Sequence, residues 1–179
     1  MSNKTFVITV PHAICVNTPQ HRIVHTCDYI ASDVATALGQ FIRQCGMDKV
    51  FYGDINRGET DLNRREGRDT RFRQKVREHL KPGTILVDVH SYPSYSFNYG
   101  DYDVALIGDN ERIKKTLKSK LERHGYKVGT FATNTIDDIL LEARDRGVID
   151  SVLVEVNERH RNDVKNIARI LSEGLCEVV

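Results

Sequence analysis

The run Ile85-Leu-Val-Asp-Val-His-Ser-Tyr92 is apolar until it reaches an acid, a histidine and two hydroxyl residues. Asp88 and His90 are two apart, so on a strand of period 2 they face the same side, with His90 at the carboxyl end. Open α/β sheets place their ligands at that end. Two further strand-like runs finish in the same manner: Phe6-Val-Ile-Thr-Val10 leads into Pro11-His12, and Ser151-Val-Leu-Val154 leads into Glu155. Between the first two lies Thr60-Asp-Leu-Asn-Arg64. Two strand-end histidines, a strand-end glutamate and an Asn-Arg pair together point to a metal-dependent hydrolase.

Zinc takes tetrahedral N, O or S ligands and, in catalytic sites, keeps a position open for water. With His12 and His90 as two ligands, a third is sought among His21, His25, Asp28 and Asp33, which lie on or just before the first expected helix. Asp28 is favoured because it is nearer the loop, and Asp33 is held as an outer partner. The competing reading makes Asp28 a first-turn acid that complements the helix dipole. Another divalent metal would suit the same donors, since availability often decides. Asp88 is expected to accept a hydrogen bond from a ligand histidine and fix its tautomer.

Glu155 stands inside an apolar strand, where an unpartnered carboxylate is expensive. Burial raises a carboxyl pKa, which suits a general base, although a buried salt bridge to arginine competes with that reading. The fork of Arg64 matches a carboxylate, and the Asn63 amide adds a donor to the same anion. Arg57 would polarise a carbonyl. The tyrosine-rich loop after His90 would wall the pocket, with Tyr92 or Tyr95 as a donor, and Asn134 and Thr135 lie in a loop that would reach the same mouth.

The elements that must position these groups follow from apolar periodicity. Strands are predicted near 5–10, 48–53, 84–90, 102–107, 126–132 and 149–155. Helices are predicted near 25–45, 69–80, 110–124, 136–146 and 161–175. Ile30, Val34, Ala37, Leu38, Phe41 and Ile42 form one stripe of the first helix; Ile113, Leu117 and Leu121 do so in the third. Asp69 or Thr70 would cap the second helix, while Gly125 and Gly147 would end the third and fourth. Such alternation implies an α/β fold: a mixed, mostly parallel sheet with helices on both faces, in a single domain over 1–179. The long irregular stretches 11–24, 54–68 and 91–101 each follow a strand, and loops of that length are usually functional.

A net charge of +1 argues against nucleic-acid binding driven by bulk charge. Six arginines nevertheless crowd between Arg57 and Arg73, which reads in part as a solvated basic face. No apolar run approaches the ~20 residues of a membrane helix, so no membrane association is expected. The amino terminus leads straight into a strand, without a secretory signal. Cys15, Cys27, Cys45 and Cys176 are scattered, and reduced thiols in a cytoplasmic protein are the expectation, with Cys15 a buried spectator.

Assembled in order, these pieces resemble the N-formylglutamate amidohydrolase family, and more distantly the zinc carboxypeptidase and aspartoacylase group. The matching motifs are Val10-Pro-His-Ala13, Asp28 in the following helix, Asn56-Arg57 with Thr60-Asp-Leu-Asn-Arg64, Asp88-Val-His-Ser91 and Val154-Glu-Val-Asn157. The resemblance implies a three-layer, zinc-carboxypeptidase-like fold of the phosphorylase/hydrolase type. It assigns one zinc to His12, Asp28 and His90, the substrate carboxylate to Asn63 and Arg64, the scissile carbonyl to Arg57, and the general base to Glu155. The implied activity is hydrolysis of an N-acyl amino acid such as N-formylglutamate, a small molecule with a free carboxylate, by metal-activated water. His12 is followed by Ala-Ile-Cys15, so the H-x-x-E pair of true carboxypeptidases is absent, and Ile14 replaces a frequent glycine. Two alternatives stand beside this reading: a small carboxypeptidase or cell-wall-type amidase on the same scaffold, and a non-catalytic zinc- or partner-binding domain.

Overall fold

β-Branched runs that are buried on both faces make the centre of a parallel sheet, and the computed structural model, which describes residues 4–20, 27–95 and 99–178, places them there. The strands are β1 (Lys4–Val10), β2 (Gly46–Tyr52), β3 (Thr84–Tyr92), β4 (Val104–Ile107), β5 (Val128–Phe131) and β6 (Asp150–Asn157). They form one sheet in the order β2-β1-β3-β6-β4-β5. All neighbours run parallel except β4 and β6, so the sheet is mixed and mostly parallel.

The helices are α1 (Ala31–Ile42), α2 (Arg71–His79), α3 (Glu111–Arg123), α4 (Asp138–Asp145) and α5 (Val164–Glu177). One face of the sheet carries Phe6, Ile8, Ile85, Val87, Val152 and Val154 and packs against α1, α3 and α5. The opposite face carries Val7 and Leu86 against Phe72 and Val76 of α2 and Ile139 and Ala143 of α4. The stripes expected on α1 and α3 are buried, Phe41 only in part. Thr70 caps α2 by accepting from the Arg73 N–H. Gly125 and Gly147 follow α3 and α4 with φ of 87° and 79°, a region costly for residues that carry a Cβ.

Two expectations are corrected. Helix α1 begins at Ala31, not near residue 25, so Asp28 lies in the turn before the helix and not within it. The Tyr29 N–H donates to Glu158 and the Ile30 N–H to Ser91, which pins this turn to the carboxyl end of the sheet. The first-turn acid of α1 is Asp33, which removes the dipole reading of Asp28. The cysteines are not reduced thiols: Cys15 pairs with Cys27 and Cys45 with Cys176, with Cα–Cα distances of 5.6 and 5.7 Å. Disulfides persist in oxidising compartments, so the thiol-based reason for a cytoplasmic assignment is gone. Among the described residues no helix is long and apolar enough to cross a membrane.

Candidate metal centre and its pocket

The chain leaves β1 towards β2 on one side and returns from β2 to β3 on the other, so β1 and β3 flank a topological switch point, where open sheets form a crevice. Thr9 and Asp88 are register partners across β1 and β3, as are His90 and Glu155 across β3 and β6. Strand alternation puts Asp88 and His90 on the Leu86 face, and Glu155 on the Leu153 face, which is turned away from α1, α3 and α5.

At the crevice the two imidazoles converge on Asp28. His12 Nδ1 lies 3.0 Å and His90 Nδ1 lies 2.8 Å from the same Asp28 oxygen, Oδ2. All three residues are buried, and one donor atom from each lies within 4.8 Å of the others. The outer nitrogens are also held: His12 Nε2 is 2.7 Å from Asp61 and His90 Nε2 is 2.9 Å from Asp88. Asp88 in turn accepts from the Thr9 hydroxyl at 2.6 Å. Carboxylates on both Nε2–H groups leave the Nδ1 lone pairs facing inward, the arrangement that orients metal-ligating histidines. Two imidazole nitrogens and one carboxylate oxygen with the pocket on their open side fit a divalent cation such as zinc.

The electrostatics agree with the geometry. Burial opposes charge on His90, but Asp88 and Asp28 outweigh it and push its pKa well above the usual histidine value. Burial would raise Asp28, yet His12 and His90 hold its carboxyl well below the ordinary range. Asp61 is held low in the same way by His12 and Arg57. Protons and a cation compete for the same Nδ1 lone pairs, so cation binding there releases protons.

A pocket of about 120 Å³ opens beside this cluster, lined by Arg57, Asn63, Arg64, Tyr99, Asp137 and Glu155 among others. Arg57 donates to Asp28 at 3.1 Å and pairs with Asp61 at 3.5 Å, so it braces the two carboxylates. The Ile139 N–H donates to Asn63 Oδ1, which orients the amide and turns its Nδ2 towards His90, 3.4 Å away. Arg64 lines the wall with its guanidinium on the Ile136 carbonyl at 2.9 Å. Glu155 accepts from the Tyr99 hydroxyl at 3.3 Å through Oε1, while Oε2 is buried without a hydrogen bond. Burial lifts the Glu155 carboxyl to about 7, with His90 pulling it back and Asp28 pushing it further up.

The structure thus brings His12, Asp28, His90, Arg57, Asn63, Arg64, Asn134 and Glu155 to one pocket. Tyr92 lines it too, but its hydroxyl donates to the Tyr102 carbonyl, so the expected donor is engaged elsewhere. Tyr95 is 76% exposed, and the hydroxyl that meets Glu155 belongs to Tyr99. Asp33 lies with Asn162 and Asp163 along a different groove, away from His12, Asp28 and His90. His21 and His25 fall outside the described residues. Sequence reasoning missed Asp61, which sits two before Asn63 in a motif read only for its Asn and Arg. It also missed Asp137, which no motif marks.

No family model matches the sequence, and no curated protein matches it. Solved structures do. The gene product Atu2144 from Agrobacterium tumefaciens superposes with a TM-score of 0.69 at 13% identity, over 99% of this chain and 91% of that one. An N-formylglutamate amidohydrolase from Ralstonia eutropha JMP134 gives 0.62 at 12%, over 99% and 95%. The CwlD amidase from Clostridioides difficile, in complex with the GerS lipoprotein, gives 0.59 at 16%, over 98% of both chains. At such identities the likeness is one of architecture: the mixed six-stranded sheet between helices is a fold that amidases and an N-formylglutamate amidohydrolase share with this chain.

Proposed function

We propose that this chain is a metal-dependent amidohydrolase that cleaves the linear amide of an N-acyl amino acid, with N-formylglutamate as the reference substrate. The observation that carries the reading is the meeting of His12 Nδ1, His90 Nδ1 and Asp28 Oδ2 at one point beside a buried, half-partnered Glu155. His12, Asp28 and His90 would hold the cation, zinc or another divalent ion, which supplies Lewis acidity towards water and the acyl carbonyl. Glu155 takes the proton from the attacking water and passes it to the amine as the C–N bond breaks, so water is divided between acid and amine products. Arg57 sets positive charge beside the carbonyl oxygen as it becomes negative. Arg64 and the Asn63 amide hold the substrate carboxylate and so convert binding into orientation. Protein purified with zinc is expected to carry it stoichiometrically, to lose N-formylglutamate hydrolysis on chelation and to regain it with zinc. Glu155→Gln is expected to keep the metal and lower kcat by about 10²–10⁴. Unchanged turnover in that variant, or failure to bind metal, rejects the reading.

One feature favours a cell-wall-type amidase or small carboxypeptidase instead. Tyr29, beside Asp28, is 72% exposed, and Tyr95 stands on the loop after His90, so a longer chain would find apolar surface outside the small pocket. Hydrolysis of short carboxylate-ended peptides in preference to N-formyl and N-acetyl amino acids would select that alternative.

A further inference from the structure

The buried acids of this protein are almost all compensated. Asp28, Asp61 and Asp88 face imidazoles, Asp103 faces Arg159 and His160, and Asp138 and Glu142 face Arg73. Glu158 lacks an ion pair but accepts from both the Tyr29 N–H and the Ser91 hydroxyl. Glu155 and Asp137 are different: neither has an ion pair among the described residues, but Glu155 is already taken up by proton transfer in the proposed reaction and Asp137 is not. Asp137 is only 8% exposed, and its one side-chain hydrogen bond among the described residues is from the Asn134 N–H to Oδ2 at 3.0 Å. It stands at the N-cap position of α4, where an aspartate usually accepts from the helix's own amides, yet it makes no such bond.

Asp137 instead lines the pocket that holds the metal cluster, Glu155 and Arg64. A buried carboxylate without a counter-charge is costly, and a ligand that supplies the missing charge recovers that cost on binding. A substrate carboxylate entering alone would meet Arg64 but also the negative charge of Asp137. Nor is there room for distance: about 120 Å³ is well below the ~300 Å³ at which drug-sized pockets begin, so the pocket takes a head group whose charges lie close together.

We propose that Asp137 reads a cation: the molecule that enters carries an ammonium group near its carboxylate, with the carboxylate on Arg64 and the ammonium on Asp137. This rests on the amidohydrolase reading for its chemistry, but binding tests it separately. In a substrate this ammonium is the free α-amine of an amino acid acylated at its side chain, since a side-chain amine lies too far from its own carboxylate for so small a pocket.

Hydrolysis of Nε-formyl-lysine is compared with that of 6-formamidohexanoate, which has the same chain, amide and carboxylate without the α-amine. In parallel, calorimetry measures norleucine and hexanoate binding to the zinc-loaded protein, a pair that differs only by the ammonium. The wild type is expected to prefer Nε-formyl-lysine by at least about tenfold in kcat/KM, and norleucine over hexanoate by a similar factor in Kd. In Asp137→Asn, which keeps an N-cap residue and an acceptor for the Asn134 N–H, both ratios are expected to collapse towards one. Asp137→Ser, also a good N-cap residue, gives the same collapse and guards against a misfolded Asn variant. Norleucine and hexanoate bound alike by the wild type, or ratios unchanged in both variants, overturn the proposal. Selective norleucine binding with no hydrolysis of any substrate overturns the amidohydrolase reading and leaves the role of Asp137 standing.

Discussion

At Glu155 the proposed role in proton transfer and the stability of the fold pull apart. One of its oxygens takes a hydrogen bond from Tyr99 and the other is buried with none, so the charged form is poorly served by the folded protein. Burial lifts its carboxyl from 4.5 to about 7. A folded-state pKa above the unfolded one means that folding takes up a proton between those values, so stability falls as pH rises through that window and levels off above it. For the metal-free protein the ionised side chain therefore costs up to about 3 kcal/mol at pH 8. Glu155→Gln removes the charge and keeps the shape. Chelated Glu155→Gln is expected to melt higher than chelated wild type, by a margin that grows from pH 5 to 7 and is then constant. Thermal melts across that range check it. A margin independent of pH, or a lower melting temperature, would mean that the carboxylate is not strained by its surroundings.

At the scale of elements, the strands and helices were legible because a buried parallel sheet and amphipathic helices leave strong periodicities. The strand ends carrying His12, His90 and Glu155 were legible for the same reason: polar residues halt an apolar run. What periodicity does not encode is pairing across space. The arginines between residues 57 and 73 read in part as a basic solvated face, yet Arg73 is wholly buried. Its guanidinium holds Asp138 at 2.9 Å and Glu142 on α4 while donating to the Leu62 carbonyl at 3.0 Å, and Arg68 grips Asp138 from outside. The segment carrying Asp61, Asn63 and Arg64 is thereby fastened to α2 and α4. Removing one partner of a buried ion network leaves charge stranded, so Arg73→Ala is expected to destabilise by about 3–5 kcal/mol. Urea unfolding measures this, and because the Asn63-Arg64 segment loosens as well, KM for a carboxylate substrate is expected to rise. A loss below about 1 kcal/mol would rank the network with exposed ion pairs.

Across the whole molecule, the crevice between β1 and β3 exists because the chain passes from β1 to β2 on one side and then crosses to β3 on the other, and two disulfides secure what surrounds it. Cys45–Cys176 ties the turn between α1 and β2 to the end of α5, closing a loop with a sequence separation of 131. Cys15–Cys27 spans 12 residues, starting three past His12 and ending immediately before Asp28. Neither spacing forms a motif, and only the folded chain brings the partners together, so neither pairing was legible. Chain entropy predicts different consequences for the two. Replacing Cys45 and Cys176 by serine frees a long loop in the unfolded state and is expected to cost about 2–5 kcal/mol while leaving zinc affinity in place. Replacing Cys15 and Cys27 frees a shorter loop, worth roughly 3 kcal/mol, but also untethers the turn that presents Asp28. That second variant is expected to bind zinc at least about tenfold more weakly, since carboxylate placement governs such sites. Competition titration against a zinc chelator, run beside thermal melts, separates the two effects. Equal zinc affinity in both variants would show that Asp28 is held by Tyr29, Ile30 and the sheet end alone, and that Cys15–Cys27 serves the fold and not the metal centre.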